Sequence, residues 1–375
     1  MSGKILYIVG EYPSRTETFI EREIVGLRRL GLEIDVCSLG AIGCVQACPA
    51  LLRSPKAVSL LWKCLKDAPL MLRRFAGALV RATHMASDTQ AIRHIHAHFL
   101  GLPATTAYFL SQMLRVPYSI TAHARDIYAE PSPRIVVANA RFRTSCTETN
   151  CAFLNAEFPN APFVLVRHGI DLKQYPHKRE REKRGPCRLL AVGRLVEKKG
   201  FTCLVRACRR LLEENCSFTC TLIGDGPQRP ALHAEIARLG LHGQVHMAGA
   251  LPHEEVIAHY QDADMLVVPS VVARDGDRDG VPNVILEAMA SRLPVIATDA
   301  GSIPEVVQNE RTGLLMPQRD PTALANGIQR LMQRAALASQ MVYAARRLIE
   351  TEYESSRWLR TMHRLLDGEN NVADE

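Results

Sequence analysis

Two stretches of this chain share one grammar: a short apolar run, a glycine, a polar loop and then a helix. The first apolar run spans Lys4 to Val9 and meets Gly10. The loop G-E-Y-P-S-R-T-E-T-F leads into a helix from Phe19 to Leu30, which Gly31 stops before a strand from Glu33 to Leu39. The pattern restarts at C-R-L-L-A-V-G-R-L-V-E-K-K-G-F, with a strand from Arg188 to Val192, Gly193, and a helix from Phe201 to Glu214. A β-α-β opening of this kind begins a doubly wound parallel sheet, so the expected fold class is α/β with two such sheets. A length of 375 residues exceeds one ordinary core and agrees with two domains. In such sheets ligands sit beyond the carboxyl ends of the strands, which places the Gly10-to-Thr18 loop at a mouth.

The first half supplies further candidates. I-R-H-I-H-A-H-F-L reads as a strand whose His96 and His98 project to one side. That spacing suits a metal, but no carboxylate or cysteine lies near in sequence to complete a site, and a core or cleft-rim histidine pair is the better reading. A strand from Tyr118 to Thr121 leads to His123, Arg125 and Asp126, and His123 is the histidine singled out for function. A strand is expected over Arg134 to Ala138, a helix over Thr147 to Glu157, and a strand in P-F-V-L-V. The charged run H-K-R-E-R-E-K-R-G-P reads as an exposed linker. The expected domains are therefore 1–178, 187–350, and a C-terminal helical segment 351–375 packing back on the first domain.

In the second half, Arg194 and Lys199 project from a strand-to-helix loop, where two cations can clamp a diphosphate. The strand Phe218 to Ile223 ends in G-D-G-P, including Gly224; a G-x-G without its third glycine disfavours a nicotinamide enzyme. Strands follow at Val245 to Met247 and Asp264 to Pro269. The stretch from Asp275 to Thr298 then offers a turn at Gly280, Pro282 opening a helix from Asn283 to Ala290, and a strand from Val295 to Thr298. The unpaired N–H groups and dipole of such a helix start form a seat for phosphate. Asp279 stands just before it and Glu287 about two turns in, which suits a diphosphate with hydroxyl-bearing sugars on either side. The plainer alternative makes Asp279 a turn residue and Glu287 a surface charge. Beyond lie a helix opened by Pro304, a short edge hairpin or strand in R-T-G-L-L-M-P, and helices over Pro321 to Leu348 and Glu354 to Leu366.

Composition narrows the partners. Apolar residues make up 47% and charged residues 23%, a globular balance. The net charge of +7 favours anionic partners. Nucleic acid is excluded as the expected one, because aromatic content is only 6% and no recognition motif is present. Residues 51–83 alternate apolar side chains with Arg53, Lys56, Lys63, Lys66, Arg73, Arg74 and Arg81. This segment can lie on an anionic membrane surface or pack as a helical pair with a solvated basic face. The first apolar run is too short for an export signal, and no run reaches the roughly 18 apolar residues of a span. The eleven cysteines contain no C-x-x-C pair and read as free thiols in a reducing cytosol.

Together these motifs resemble glycosyltransferase family 4, a GT-B fold of two Rossmann-like domains with an interdomain cleft. The resemblance rests on G-E-Y-P-S-R-T-E-T-F-I-E-R-E-I, H-A-H-F, S-I-T-A-H-A-R-D-I-Y, R-H-G-I-D, V-G-R-L-V-E-K-K-G-F, I-G-D-G-P, D-G-V-P-N-V-I-L-E-A-M-A, G-S-I-P-E-V-V and T-G-L-L. It looks most like the exopolysaccharide, colanic-acid-type branch. The resemblance implies that Arg194 and Lys199 grip the donor diphosphate and that Glu287 holds the ribose hydroxyls. It also implies that Asp279 contacts the donor sugar, and that backbone N–H groups around Pro282, Asn283 and Val284 face the phosphates. Gly224 joins the donor side. His123 matches the histidine near the transferred sugar; Gly10, Glu17, Thr18 and His98 fall on the acceptor side. Asp279 departs from the family, whose members mostly carry Glu there.

The implied activity is retaining transfer of a hexose from a UDP- or GDP-linked sugar to a lipid-linked or soluble carbohydrate, without cofactor or metal. Closure across the linker would exclude water. The implied location is the cytoplasm, with the 51–83 segment offering contact with the inner face of the membrane. A GT-B sugar-nucleotide epimerase and a non-catalytic nucleotide-sugar-binding subunit are the alternatives.

Overall fold

The structure is a computed structural model that describes residues 3–14, 17–40, 59, 77–79, 81–82, 85, 91–128, 133–176 and 185–368. The charged run 177–186 and the basic segment 51–83 fall largely outside those residues. Two compact units are present: Met1–His168 together with Ser356–Glu375, and Gly169–Ser355.

The first unit is built on a parallel sheet of β1 (Lys4–Val9), β2 (Ile34–Ser38), β3 (Ile92–His98), β4 (Tyr118–Ala122), β5 (Arg143–Ser145) and β6 (Val164–Leu165), ordered β2-β1-β3-β4-β5-β6. β1 is buried on both faces from Ile5 onward, as its unbroken apolar run requires of a central parallel strand. The direction of winding reverses between β1 and β3, whose carboxyl ends are followed by Gly10 and Phe99, and His123 follows the adjacent β4. The helix Thr18–Arg29 buries Ile20, Ile24 and Leu27, spaced at helical intervals, against Ile5, Tyr7 and Val9. The helix Ser355–Asp367 adds Met362, Leu365 and Leu366 to the same core. Arg93 fastens that helix by an ion pair with Asp367 at 2.7 Å.

The second unit repeats the plan with β7 (Cys187–Val192), β8 (Phe218–Ile223), β9 (Val245–Gly249), β10 (Met265–Val268), β11 (Val295–Thr298) and β12 (Leu314–Met316), ordered β12-β11-β10-β7-β8-β9. Its winding reverses between β7 and β10. Phe201, Leu204, Val205, Cys208 and Leu211 line one side of the helix Phe201–Glu213 and are buried on the sheet. Asp320 starts a later helix by accepting from the backbone N–H of Thr322 and Ala323.

Three expectations need correction. Arg134–Ala138 is a short helix, not a strand. Pro133 ahead of it supplies a fixed φ and an acceptor for Val136 N, and the strand falls later, at Arg143–Ser145. The long helix expected over Pro321 to Leu348 is two, Pro321–Gln333 and Ala335–Glu352, broken where Arg334 leaves helical geometry at φ −117° and ψ 73°. Pro304 opens only a single 3₁₀ turn, Ile303–Glu305.

Candidate functional site

In the second unit, the loops after β7, β8 and β10 meet where the winding reverses. Close backbone packing explains why glycines stand there. A Cβ on Gly200, whose φ is +63°, would lie 1.9 Å from the Pro269 carbonyl oxygen. A Cβ on Gly224 would lie equally close, at 1.9 Å, to that of Gly193. Val271 N donates to the Lys198 carbonyl at 2.8 Å, and Leu195 N to that of Asp225 at 2.9 Å. These contacts bring the Gly193–Gly200 loop against the segment leading to Asp279.

Within this frame Lys199 Nζ donates to Asp279 Oδ2 at 2.8 Å, and Ser270 Oγ donates to the same oxygen at 2.9 Å. Lys198 Nζ lies 3.7 Å from Asp279 Oδ1 and 3.0 Å from Asp277. Asp279 is 8% exposed. Burial alone would push its carboxyl up, but Lys199 and Lys198, with hydrogen bonds from Lys199 and Ser270, hold it below the ordinary value. Asp279 is therefore no plain turn residue. Arg194 behaves differently: it is exposed and, among the described residues, meets no side-chain partner.

The helix Asn283–Ala290 begins just beyond, with Pro282 in the N-cap position and no side chain capping it. The first N–H groups of Asn283 and Val284 thus lack an intrahelical acceptor. Glu287, in the second turn, is 5% exposed and accepts from Tyr260 Oη at 2.9 Å, which removes the surface-charge reading. The sequence pointed to Arg194, Lys199, Gly224, Asp279, Pro282, Asn283, Val284 and Glu287, and all belong to this unit. It missed Lys198 and Ser270, which contact Asp279, Tyr260, which donates to Glu287, and Asp277, which pairs with Lys198. The charge alternation in D-G-D-R-D was the one available signal.

The first unit gathers histidines. His98 Nδ1 and His123 Nε2 are 3.1 Å apart, and His98 Nε2 lies 3.3 Å from Glu23. Tyr7 Oη donates to Glu23 at 3.0 Å. His96 spends both ring nitrogens on Ser119 (2.8 Å) and Thr121 (3.1 Å). The rings of Phe19 and Phe99 lie 5.0 and 4.5 Å from His123, and that of His168 lies 5.2 Å away. Burial first, then neighbouring histidines, pushes His123 well below the ordinary histidine range. Gly10 accepts from Gly40 N at 2.8 Å, and a Cβ on it would meet nothing within 4 Å. Glu17 precedes the helix that Thr18 begins.

Among the described residues, two groups could bring ligand atoms within 4.8 Å of one another, His123–Cys146–His168 and Glu23–His96–His98. In the second, a metal would have to displace the Ser119 or Thr121 bond of His96.

Two Rossmann-like units of six parallel strands, each flanked by helices, define the GT-B architecture. Residues 186–334 match the model for glycosyl transferases group 1. The chain is 36% identical over 209 residues to the amylovoran biosynthesis glycosyltransferase AmsK of Erwinia amylovora, covering 56% of this chain and 51% of that one. It is also 36% identical over 183 residues to WcaL of Escherichia coli (strain K12), whose name assigns it provisionally to colanic acid biosynthesis as a glycosyltransferase; that match covers 49% and 43% of the two chains. These matches span about half the length of those curated relatives. Among solved structures, sucrose-phosphate synthase from Thermosynechococcus elongatus superposes with a TM-score of 0.76 at 20% identity, covering 96% and 98% of the chains. Anabaena Alr3699/HepE in complex with UDP gives 0.71 at 17% identity, covering 97% and 99%. No helix among the described residues is long and apolar enough to cross a membrane.

Proposed function

We propose that the chain is a retaining glycosyltransferase that moves a hexose from a UDP- or GDP-linked donor to a carbohydrate hydroxyl. The acceptor on this reading is a lipid-linked oligosaccharide of exopolysaccharide assembly, reached at the cytoplasmic face of the membrane. The observation that carries the proposal is a free guanidinium and an aimed ammonium on one loop at the switch point of a glycosyl transferase group 1 domain. Lys199 spends one N–H on Asp279, which fixes its direction and leaves two donors for phosphate oxygens. Arg194 adds a planar fork suited to the same oxygens. The bare N–H groups at Asn283 and Val284 extend the row of donors.

On this proposal the charge developing on the departing diphosphate falls on groups already in position, which is electrostatic stabilisation of the transition state. Glu287, oriented by Tyr260, accepts from the ribose hydroxyls. Asp279 contacts the sugar through the oxygen nearer Lys198. His123, neutral in its aromatic surround, lies beside the transferred sugar, with Gly10, Glu17, Thr18 and His98 toward the acceptor. No metal or cofactor takes part in this scheme. The shorter Asp279 in place of Glu draws the carboxylate back from the sugar by one methylene.

The test is a transfer assay with radiolabelled donor sugars and a lipid extract as acceptor. Arg194→Ala should lower transfer about 100-fold with an unchanged melting temperature. Wild-type turnover in that variant contradicts the clamp, and donor binding without transfer to any acceptor contradicts the activity.

A further inference from the structure

The histidine chain of the first unit carries information that no role in donor binding requires. An ionised carboxylate only accepts hydrogen bonds, and Tyr7 Oη donates to Glu23 Oε1 at 3.0 Å. His98 Nε2 lies 3.3 Å from that same oxygen. The contact is too bent for a full hydrogen bond, yet at this separation a nitrogen lone pair facing the carboxylate is repelled and an N–H is attracted. A neutral imidazole has one ring proton, so a proton on Nε2 leaves His98 Nδ1 an acceptor. His98 Nδ1 is 3.1 Å from His123 Nε2, and two lone pairs cannot face each other there.

We propose that Glu23 and His98 are positioning residues that set the tautomer of His123, holding its proton on Nε2 and its Nδ1 bare. Tyr7 anchors the carboxylate at the far end of the chain. His98 is fully buried on β3 and its ring lies 5.0 Å from that of His96, whose two nitrogens are spoken for by Ser119 and Thr121. His98 therefore has Glu23 and His123 as its polar neighbours within the histidine array. Phe19 and Phe99 flank His123 and restrict its rotation. Toward a sugar hydroxyl, a bare Nδ1 accepts where an Nδ1–H would donate. That consequence rests on the function proposed above; the tautomer itself does not.

The test is a long-range proton–nitrogen correlation spectrum of the full chain labelled with ¹⁵N-histidine, without ligand. Recording it at about pH 8, above the ordinary histidine range, keeps the rings neutral. His123→Asn identifies the His123 pattern among the thirteen histidines. The expected wild-type pattern is a protonated Nε2 and an unprotonated Nδ1 at His123. In Glu23→Gln the near-isosteric amide can face His98 with either its oxygen or its NH₂, so a mixture of both tautomers is expected at His98 and His123. A wild-type His123 protonated at Nδ1, protonated at both nitrogens, or bare at both overturns the proposal. So does a Glu23→Gln spectrum identical to wild type. Because no nucleotide or acceptor is present, these outcomes are independent of whether sugar transfer is found.

Discussion

Lys199 and Asp279 stand 80 residues apart in sequence and 2.8 Å apart in the fold, joined across the point where the second sheet reverses its winding. The pair makes a stability prediction. Asp279 keeps its charge by facing two lysines, so Asp279→Asn should cost about 2–3 kcal/mol at pH 7, near the lower end for a broken buried pair because Lys199 can turn toward solvent. The carboxyl is held below its unfolded value of about 3.9, so its contribution is complete above that pH. It is lost as pH falls through the lower, folded value. The gap between wild type and Asp279→Asn in urea midpoints should therefore narrow as pH falls below about 3.9, and a gap that stays constant with falling pH contradicts the assignment.

Glycine positions separate two costs. Gly200 and Gly240 share a left-handed φ, +63° and +65°, but a Cβ on Gly240 meets nothing within 4 Å. Gly240→Ala should cost about 1 kcal/mol from backbone strain alone. Gly200→Ala must also displace the Pro269 carbonyl and should cost more than about 3 kcal/mol. Equal melting temperatures for the two variants would remove close loop packing as the reason for Gly200.

The buried histidines predict acid sensitivity of the first unit. Burial, with nearby Arg141 and Arg93, pushes His94 down to about 3, and His96 and His123 are held well below the ordinary range, burial again leading. Each is neutral when folded and titrates near 6.5 when unfolded. Their stabilisation is thus full above about pH 6.5 and declines as pH falls toward the folded values, by up to about 1.4 kcal/mol per pH unit for each histidine. Hydrogen exchange should show β3 and β4 opening between pH 6 and 4 while β7 and β8 stay protected. Simultaneous opening of both units would contradict this.

Thr121 joins the same array: its hydroxyl meets His96 Nε2 at 3.1 Å and Thr144 Oγ1 at 2.7 Å. Thr121→Val strands two buried groups and should cost about 1–3 kcal/mol in denaturant unfolding, with part recovered in Thr121→Val/Thr144→Val. An additive double variant would show that the two hydroxyls do not interact.

Much of this was readable from the chain because the strands are short apolar runs stopped by glycine. β1 and β8 fall on the residues expected, and the helix after Pro282 begins and ends as read. Arg134–Ala138 misled because I-V-V favours strands, while its real state follows from Pro133 and from β5 supplying the next strand instead. The site was legible as residue types and not as pairings. Nothing near Glu287 in sequence announces Tyr260, 27 residues away, and near Asp279 the charge alternation of D-G-D-R-D does not say that its oxygens face Lys199 and Lys198. Such partners are fixed by topology, which local pattern does not encode.

The most direct measurement is a thermal-shift titration of the full chain with UDP, GDP and their hexose conjugates, repeated in Arg194→Ala and Lys199→Ala. A seat for a nucleotide diphosphate predicts that at about 100 times Kd at least one ligand stabilises wild type by about 2.7 kcal/mol, or about 5–10 °C. The shift should collapse in both variants. No shift with any of these ligands, or an equal shift in wild type and both variants, would contradict the central claim that Arg194 and Lys199 hold a diphosphate.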